Sequence, residues 1–340
     1  VSAQKSYFRP LVQHGLARPD AALPLAGGEG WFTHVEVLAR GRAPEFMPAS
    51  DMPAEYYVLL TQPRPPIAGL TFDRPRVMGI LNATPDSFSD GGVHAQAEAA
   101  IAAGRGMCAA GVDILDIGGE STRPGSSYID PDEEIARVTP VIAGLRDSGC
   151  LISIDTRKAR VAQAAVAAGA ALVNDVSGLT HDAEMAPFCA SQNLPVCIMH
   201  AQGDPATMQQ DPRYDDVLLD VYDALHGRIA QVQRQFGIAP AQIIADPGIG
   251  FGKTQTHNLA LLARLSLFHA LGVPVLLGAS RKKFIGTIGK MPVAADRAAG
   301  SIGVALAALG HGIQVLRVHD VPQTIQAIAL WRAATAGRYP

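Results

Sequence analysis

Polar side chains that can ionise or hydrogen-bond recur in this sequence at one kind of position, the end of a short apolar run. Asn82, Asp116, Asp155, Asn174 with Asp175, His200, Asp246, Ser280 and His319 all stand there. Arg317 precedes His319 at the i, i+2 spacing that puts both on one face of an extended segment, and Arg123 follows Thr122 in a glycine-bearing stretch. The stretch Met78-Gly-Ile-Leu-Asn-Ala-Thr-Pro-Asp-Ser-Phe-Ser-Asp-Gly-Gly92 is dense in Gly, Ser, Asp and Pro, a composition that offers backbone amides and carboxylates above a pocket. Taken singly, an Asp or Asn after a strand is explained as a helix cap or turn former. Recurrence after almost every run points instead to convergence on one site. No Ser-His-Asp or Cys-His signature suggests a covalent nucleophile, and no HxxxH or comparable cluster suggests a tightly bound transition metal.

Convergence requires a fold that gathers strand ends. From about residue 76 onward, short β-rich apolar runs alternate with longer Ala-rich segments of helical period, the signature of βαβ units. The runs are 77–82, 114–118, 151–155, 172–175, 196–200, 243–246, 275–278 and 315–319, all read as buried strands. Helices are expected at 96–110, 132–147, 158–168, 214–236, 257–271, 294–309 and 321–336. Eight such units predict an α/β fold, a closed (β/α)8 TIM barrel whose strand ends meet at one mouth. An open doubly wound sheet is the alternative, weakened because no GxGxxG follows the first run. Residues 1–75 break the rhythm, with prolines crowding 43–66 and candidate strands at 31–39 and 56–61. They are read as an N-terminal accessory segment packed on the barrel, covering its N-terminal end, with the barrel itself at 76–340. Too few apolar residues are available there for an independent core.

Whole-chain properties narrow the class of partner. At 340 residues with 48% apolar side chains, the chain can bury a large core. A net charge of -3 and dispersed basic residues leave no basic stripe, so small-molecule ligands and no nucleic-acid partner are expected. The longest apolar stretches stop short of the ~20 residues of a membrane span, and the start lacks a basic-then-apolar signal pattern. No membrane partner and a cytoplasmic location are expected. The cysteines Cys108, Cys150, Cys189 and Cys197 lie far apart without CxxC spacing and are read as reduced core residues rather than a disulfide or zinc set. The first residue is Val, from which we expect that the numbering omits an initiator Met or a trimmed leader.

Together with Gly118-Gly-Glu-Ser-Thr-Arg-Pro-Gly-Ser126, Asp246-Pro-Gly-Ile-Gly-Phe-Gly-Lys253, Ser280-Arg-Lys282 and Arg317-Val-His-Asp320, the 78–92 stretch closely resembles the dihydropteroate synthases. The resemblance spans about residues 76–335 and rests on these segments standing in order, each at a strand end. It implies a homodimeric transferase of folate synthesis that joins 6-hydroxymethyl-7,8-dihydropterin pyrophosphate to 4-aminobenzoate. For the pterin it implies Asp155, Asn174, Met199, Asp246 and Lys282, a planar edge read by carboxylates, an amide and an ammonium. For the pyrophosphate it implies Asn82, Thr122, Arg123, Arg317 and His319, with Asn82 also helping to hold a magnesium cofactor. For 4-aminobenzoate it implies Phe88, Pro124, Phe251, Ser280 and Lys283, the carboxylate meeting a helix N-terminus near Ser280.

The resemblance gives the catalytic work to Asp90, Arg123, Lys282, Arg317 and His319, which stabilise the leaving charge and, for Asp90, shield a pterin cation from water. It places the dimer contact on late helices such as 294–309. Lys283 stands where some members carry a small hydroxyl residue, Ala83 follows Asn82 where Val is frequent, and Ala201 occupies the Met-His-x-Gln segment. Methyltetrahydrofolate-dependent corrinoid methyltransferases share a pterin-binding barrel. The Ser-Thr-Arg-Pro-Gly and Arg-Val-His-Asp segments argue against them, since methyl transfer releases no pyrophosphate. An aldolase with Lys282 as Schiff-base former and a pterin-binding paralogue without turnover are the remaining alternatives.

Overall fold

The structure, a computed structural model, describes residues 5–84, 93–121, 128–203 and 207–337. Its first elements are small: β1 (Tyr7–Pro10), β2 (Leu23–Pro24), β3 (Trp31–Phe32), β4 (His34–Leu38), β5 (Glu45–Pro48) and α1 (Ala54–Thr61). β4 lies between β1 and β5 in an antiparallel sheet, and β2 pairs with β3. The candidate strand at 56–61 is instead the helix α1. Six apolar residues carry too little period to separate strand from helix. Pro53, with φ at -56°, sits at the N-cap and pre-sets the first turn, and Leu60 is the one buried residue of the helix.

From Arg76 the chain alternates. Its elements are β6 (Arg76–Asn82), α2 (Val93–Ala109), β7 (Ile114–Gly118), α3 (Pro131–Leu145), β8 (Leu151–Asp155), α4 (Ala159–Ala168), β9 (Leu172–Asp175), α5 (Met185–Ser191), β10 (Val196–Met199) and α6 (Val217–Phe236). There follow β11 (Ile243–Asp246), α7 (Gln255–Leu262), β12 (Leu276–Leu277), α8 (Lys283–Ile288), α9 (Ala298–Gly310), β13 (Val315–Val318) and α10 (Val321–Ala336). The strands run parallel in the order β11-β10-β9-β8-β7-β6-β13-β12. A parallel bridge from Ala245 to Val275 closes the ring. The (β/α)8 barrel is therefore as expected, while α5 and α8 are too short for their period to show in the sequence.

The helix expected at 257–271 is split into α7 and a 3-10 segment, Leu265–Leu271, whose residues are all buried. Side chains from elsewhere replace its missing helical bonds. Arg64 donates to the His269 carbonyl (2.8 Å) and Tyr222 to that of Ala270 (3.1 Å), while Ser266 Oγ donates to Pro10 of β1 (2.9 Å). The extension thus covers this segment and permits its tighter winding.

Alternation of side chains along each strand layers the barrel interior. Met78, Ile114, Leu172, Cys197, Ile244, Leu276 and Val315 form an apolar floor, packed with Ile67 and Phe72 of the extension. Two residues onward on the same strands stand Ile80, Asp116, Asn174, Met199, Asp246, Gly278 and Arg317. The floor is apolar and the layer above it is largely polar.

The cysteine reading needs correction. Cys108 in α2 and Cys150 just before β8 form a disulfide, their Cα atoms 6.2 Å apart despite a separation of 42 residues. Both segments end at the N-terminal side of the barrel, a proximity that chain spacing does not reveal. Cys189 and Cys197 are buried free thiols. Among the described residues no helix is long and apolar enough to cross a membrane.

Candidate active site

The polar layer is a connected charge cluster. Arg317 on β13 donates through Nε to Asp116 Oδ2 on β7 (2.6 Å) and through Nη2 to Asp155 Oδ2 on β8 (2.6 Å). Asn174 on β9 donates to the same Asp116 oxygen (2.9 Å). All three partners of the cluster around Arg317 are buried. Burial, the largest influence, holds the Asp155 carboxyl above the usual carboxylate range against the pull of Arg317. Burial opposes the charge on Arg317, but Asp116 and Asp155 outweigh it and raise its pKa. Among the described residues, Asp116 Oδ1, Asp155 Oδ1 and Ser153 Oγ on β8 are buried without a hydrogen-bond partner. Such groups are costly to leave unpaired, so three in one chamber mark where donors from a ligand fit.

Across the chamber, Asp246 accepts from the Gly248 amide (2.7 Å), and burial raises its pKa against the effect of Lys282. Lys282 is the N-cap of α8. Its Nζ donates to the Ile249 carbonyl and lies 4.5 Å from the Phe251 ring centroid. Burial pushes its pKa down to about 8, with Asp246 opposing. Gly248, Gly250 and Gly252 all have positive φ, and a Cβ on Gly248 would lie 1.9 Å from the His200 carbonyl oxygen. Lys253 pins this loop from within, reaching His200 Nδ1 (2.9 Å) and donating to the carbonyls of Gly248 (2.9 Å) and Phe251 (3.0 Å). Burial lowers Lys253 to about 7 and His200 to about 3, so the imidazole beside the lysine is neutral.

Other expected residues fall around the mouth. Asn82 ends β6 and is half-buried, Met199 is buried at the end of β10, and Lys283 is exposed in the first turn of α8. The Ser280 hydroxyl lies 3.0 Å from His319 Nδ1 and accepts from its backbone N–H (3.2 Å), so it orients the imidazole. Asp175, next to Asn174, does form a turn: it accepts from the Ser177 amide (2.7 Å) and hydroxyl (2.6 Å) and the Leu179 amide (3.2 Å). Glu120, just past β7, accepts from the Ile129 amide (3.0 Å) and pairs with Lys158 (3.2 Å). Phe88, Asp90, Thr122, Arg123 and Pro124 lie outside the described residues. Asp116, expected among the converging strand-end residues but given no substrate, is at the centre of the cluster, while Ser153 and Lys253 are not among the residues expected at the site. A period-2 count from Leu151 finds Ser153, whereas Lys253 needs the folded loop. Among the described residues no group of three or more His, Cys, Asp or Glu is placed to hold a metal ion.

Residues 78–319 match the family described as pterin binding enzyme, so the barrel and its chamber of unpaired acceptors define a pterin-binding enzyme. A protein of Neisseria meningitidis serogroup B named dihydropteroate synthase is 45% identical over 266 residues, 77% of this chain and 93% of its own length. The chain belongs to the dihydropteroate synthase family, transferases of folate synthesis. A structure of Xanthomonas albilineans dihydropteroate synthase with 4-aminobenzoic acid superposes with a TM-score of 0.75 at 45% identity, covering 81% of this chain and 98% of that one. Another, in complex with 7,8-dihydropteroate, gives 0.72 at 42% identity, covering 81% and 99%. Residues 1–77 lie outside the family match.

Proposed function

We propose that this chain transfers the pterinylmethyl group of 6-hydroxymethyl-7,8-dihydropterin pyrophosphate to the amine of 4-aminobenzoate, giving 7,8-dihydropteroate and pyrophosphate. The observation that carries this reading is the trio of buried polar atoms without partners among the described residues, the carboxylate oxygens Asp116 Oδ1 and Asp155 Oδ1 and the hydroxyl of Ser153, above an apolar floor. A dihydropterin brings ring N–H and amino donors along one edge and acceptors that suit the Lys282 ammonium. In our reading Asp155, Asn174, Asp246 and Lys282 hold that edge, Asp116 and Ser153 complete it, and Met199 packs on the ring.

Asn82, Thr122, Arg123, Arg317 and His319 take the pyrophosphate. Asn82, a hard amide-oxygen donor at a strand end, is the residue that would help hold magnesium beside the pyrophosphate. When bound, the ion supplies neutralisation of the leaving group's charge. The C–O bond to pyrophosphate breaks with its electron pair going to the leaving oxygen. The lone pair of the amine forms the new C–N bond, and one amine proton passes to solvent. An arylamine is neutral near pH 7, so no strong base is required. Arg123, Arg317 and His319 stabilise the leaving charge, and Asp90 screens the pterin cation from water. Phe88, Pro124 and Phe251, with Ser280 and Lys283 at the start of α8, form the 4-aminobenzoate pocket.

We read the chain as a cytoplasmic homodimer, with residues 1–75 as an accessory part of each protomer. A pyrophosphate ester is too charged to cross a bilayer unaided, which favours the compartment that makes it. α9 suits a dimer contact because its exposed positions Ala299, Gly300, Gly303 and Ala307 carry no charge. Pyrophosphate release tests the central assignment. It is expected when both substrates are present; a protein that binds the pterin ester yet releases no pyrophosphate on addition of 4-aminobenzoate would overturn it.

A further inference from the structure

A chain of hydrogen bonds leads from the extension to the loop that carries Phe251. Arg40, between β4 and β5, donates from Nη1 to Asp220 Oδ1 (2.6 Å) and from Nη2 to Asp223 Oδ2 (2.8 Å), both on α6. Asp223 is held in turn by the Tyr7 hydroxyl (2.8 Å) and Lys5 (2.5 Å). Asp220 Oδ2 accepts the amides of Asp215 (3.0 Å) and Asp216 (3.2 Å), the last residues of the connection from β10 into α6. Within that connection, Tyr214 donates its hydroxyl to the Gly252 carbonyl (2.7 Å) and Gln209 donates to the Gly250 carbonyl (2.5 Å). Gly250 and Gly252 flank Phe251, the ring beneath the Lys282 ammonium.

A lone ion pair at a half-exposed site contributes little. Here one guanidinium spans two carboxylates of a single helix, and Asp220 is shared between it and two backbone amides. Loss of Arg40 therefore loosens the end of a connection and not one bond.

We propose that Arg40, Asp220 and Tyr214 are positioning residues for the second-substrate pocket, through which the extension sets the placement of Phe251. The proposal rests on the assignment of Phe251 to the 4-aminobenzoate pocket. Arg40 stands in the extension, outside the family match, while Tyr214, Asp220 and Phe251 lie within it. Asp155, Asn174 and Asp246 stand on barrel strands. They do not hang on this connection; of the pterin residues only Lys282 touches the tied loop, through the Ile249 carbonyl and the Phe251 ring, so the larger effect falls on the second substrate.

Steady-state kinetics of the full chain, varying each substrate in turn, test it. Arg40→Ala and Tyr214→Phe are each expected to raise KM for 4-aminobenzoate about three- to tenfold, with KM for the pterin ester within about twofold of the parent. The double variant should be little worse than the worse single one, because both cut the same chain. Equal rises in both KM values, or a lower Tm with both unchanged, would overturn the proposal. Tyr214→Phe keeps the ring against His257, centroids 5.0 Å apart, and so carries the test even if Arg40→Ala fails to fold. Phe251→Ala is the reference. If it leaves KM for 4-aminobenzoate unchanged, the pocket assignment fails; if it raises that KM while the other two variants do not, the coupling alone fails.

Discussion

Lys282 and Arg317 face one chamber as cations of different character. Burial brings Lys282 down to about 8, within reach of titration, while Arg317 stays charged between Asp116 and Asp155. We expect kcat/KM for the pterin ester to fall as pH rises through about 8, where the ammonium loses the proton it donates. Lys282→Arg should move that limb to higher pH, and an unmoved limb would assign it to another group. Arg317→Met should destabilise the fold by about 3–5 kcal/mol, since it leaves two buried carboxylates without their counter-charge. The pH dependence follows from the raised pKa of Asp155. Its contribution to stability is complete below the ordinary carboxylate pKa and is lost as pH rises through the raised folded value. Without Arg317 that value rises further, so denaturant unfolding should show a larger deficit at about pH 8 than at about pH 5. Equal deficits would mean that the carboxylates are not what Arg317 offsets.

Elements were legible in the sequence where their period was long enough and their ends were marked. Each barrel strand stops at or near a polar residue, which is why Asp155, Asn174 and Asp246 could be picked out. Which face a residue takes was harder. Adjacent Asn174 and Asp175 look alike in sequence, yet one meets Asp116 and the other ties a turn. The split of 257–271 was illegible because its cause, the cover of Arg64 and Pro10, lies some two hundred residues away. The loop after β11 shows how strictly an element can depend on one residue. Gly248→Ala would set a Cβ against the His200 carbonyl at φ +67°, and its amide also holds Asp246. We expect a loss of about 2 kcal/mol or more together with weaker pterin binding. Gly106→Ala, on α2 with nothing within 4 Å of the added carbon, should be neutral or slightly stabilising in the same thermal melt. Equal effects at both positions would remove the steric account.

For the whole molecule, the disulfide and the extension are the features that a barrel alone does not require. Alkylation of denatured protein should label two cysteines before reduction and four after it, matching the Cys108–Cys150 bond and the free Cys189 and Cys197. Four labels without reduction would restore the reading of all four as thiols. The extension has a consequence in time as well as in space. Tyr7 meets Asp223 across 216 residues, and Ser266 meets Pro10 across 256. Contacts so distant along the chain form late, after the nearer pairings of the barrel strands. A segment that precedes the barrel in the chain must therefore wait for partners that follow it by some two hundred residues, with Phe46 on β5 exposed meanwhile as it is in the finished fold. Trp31, buried in the extension, is one of two tryptophans, so a Trp331→Phe variant makes its fluorescence a clock for docking. In stopped-flow refolding that signal should lag the far-ultraviolet signal of the barrel, and coincident traces would mean that the extension docks together with the barrel and not after it.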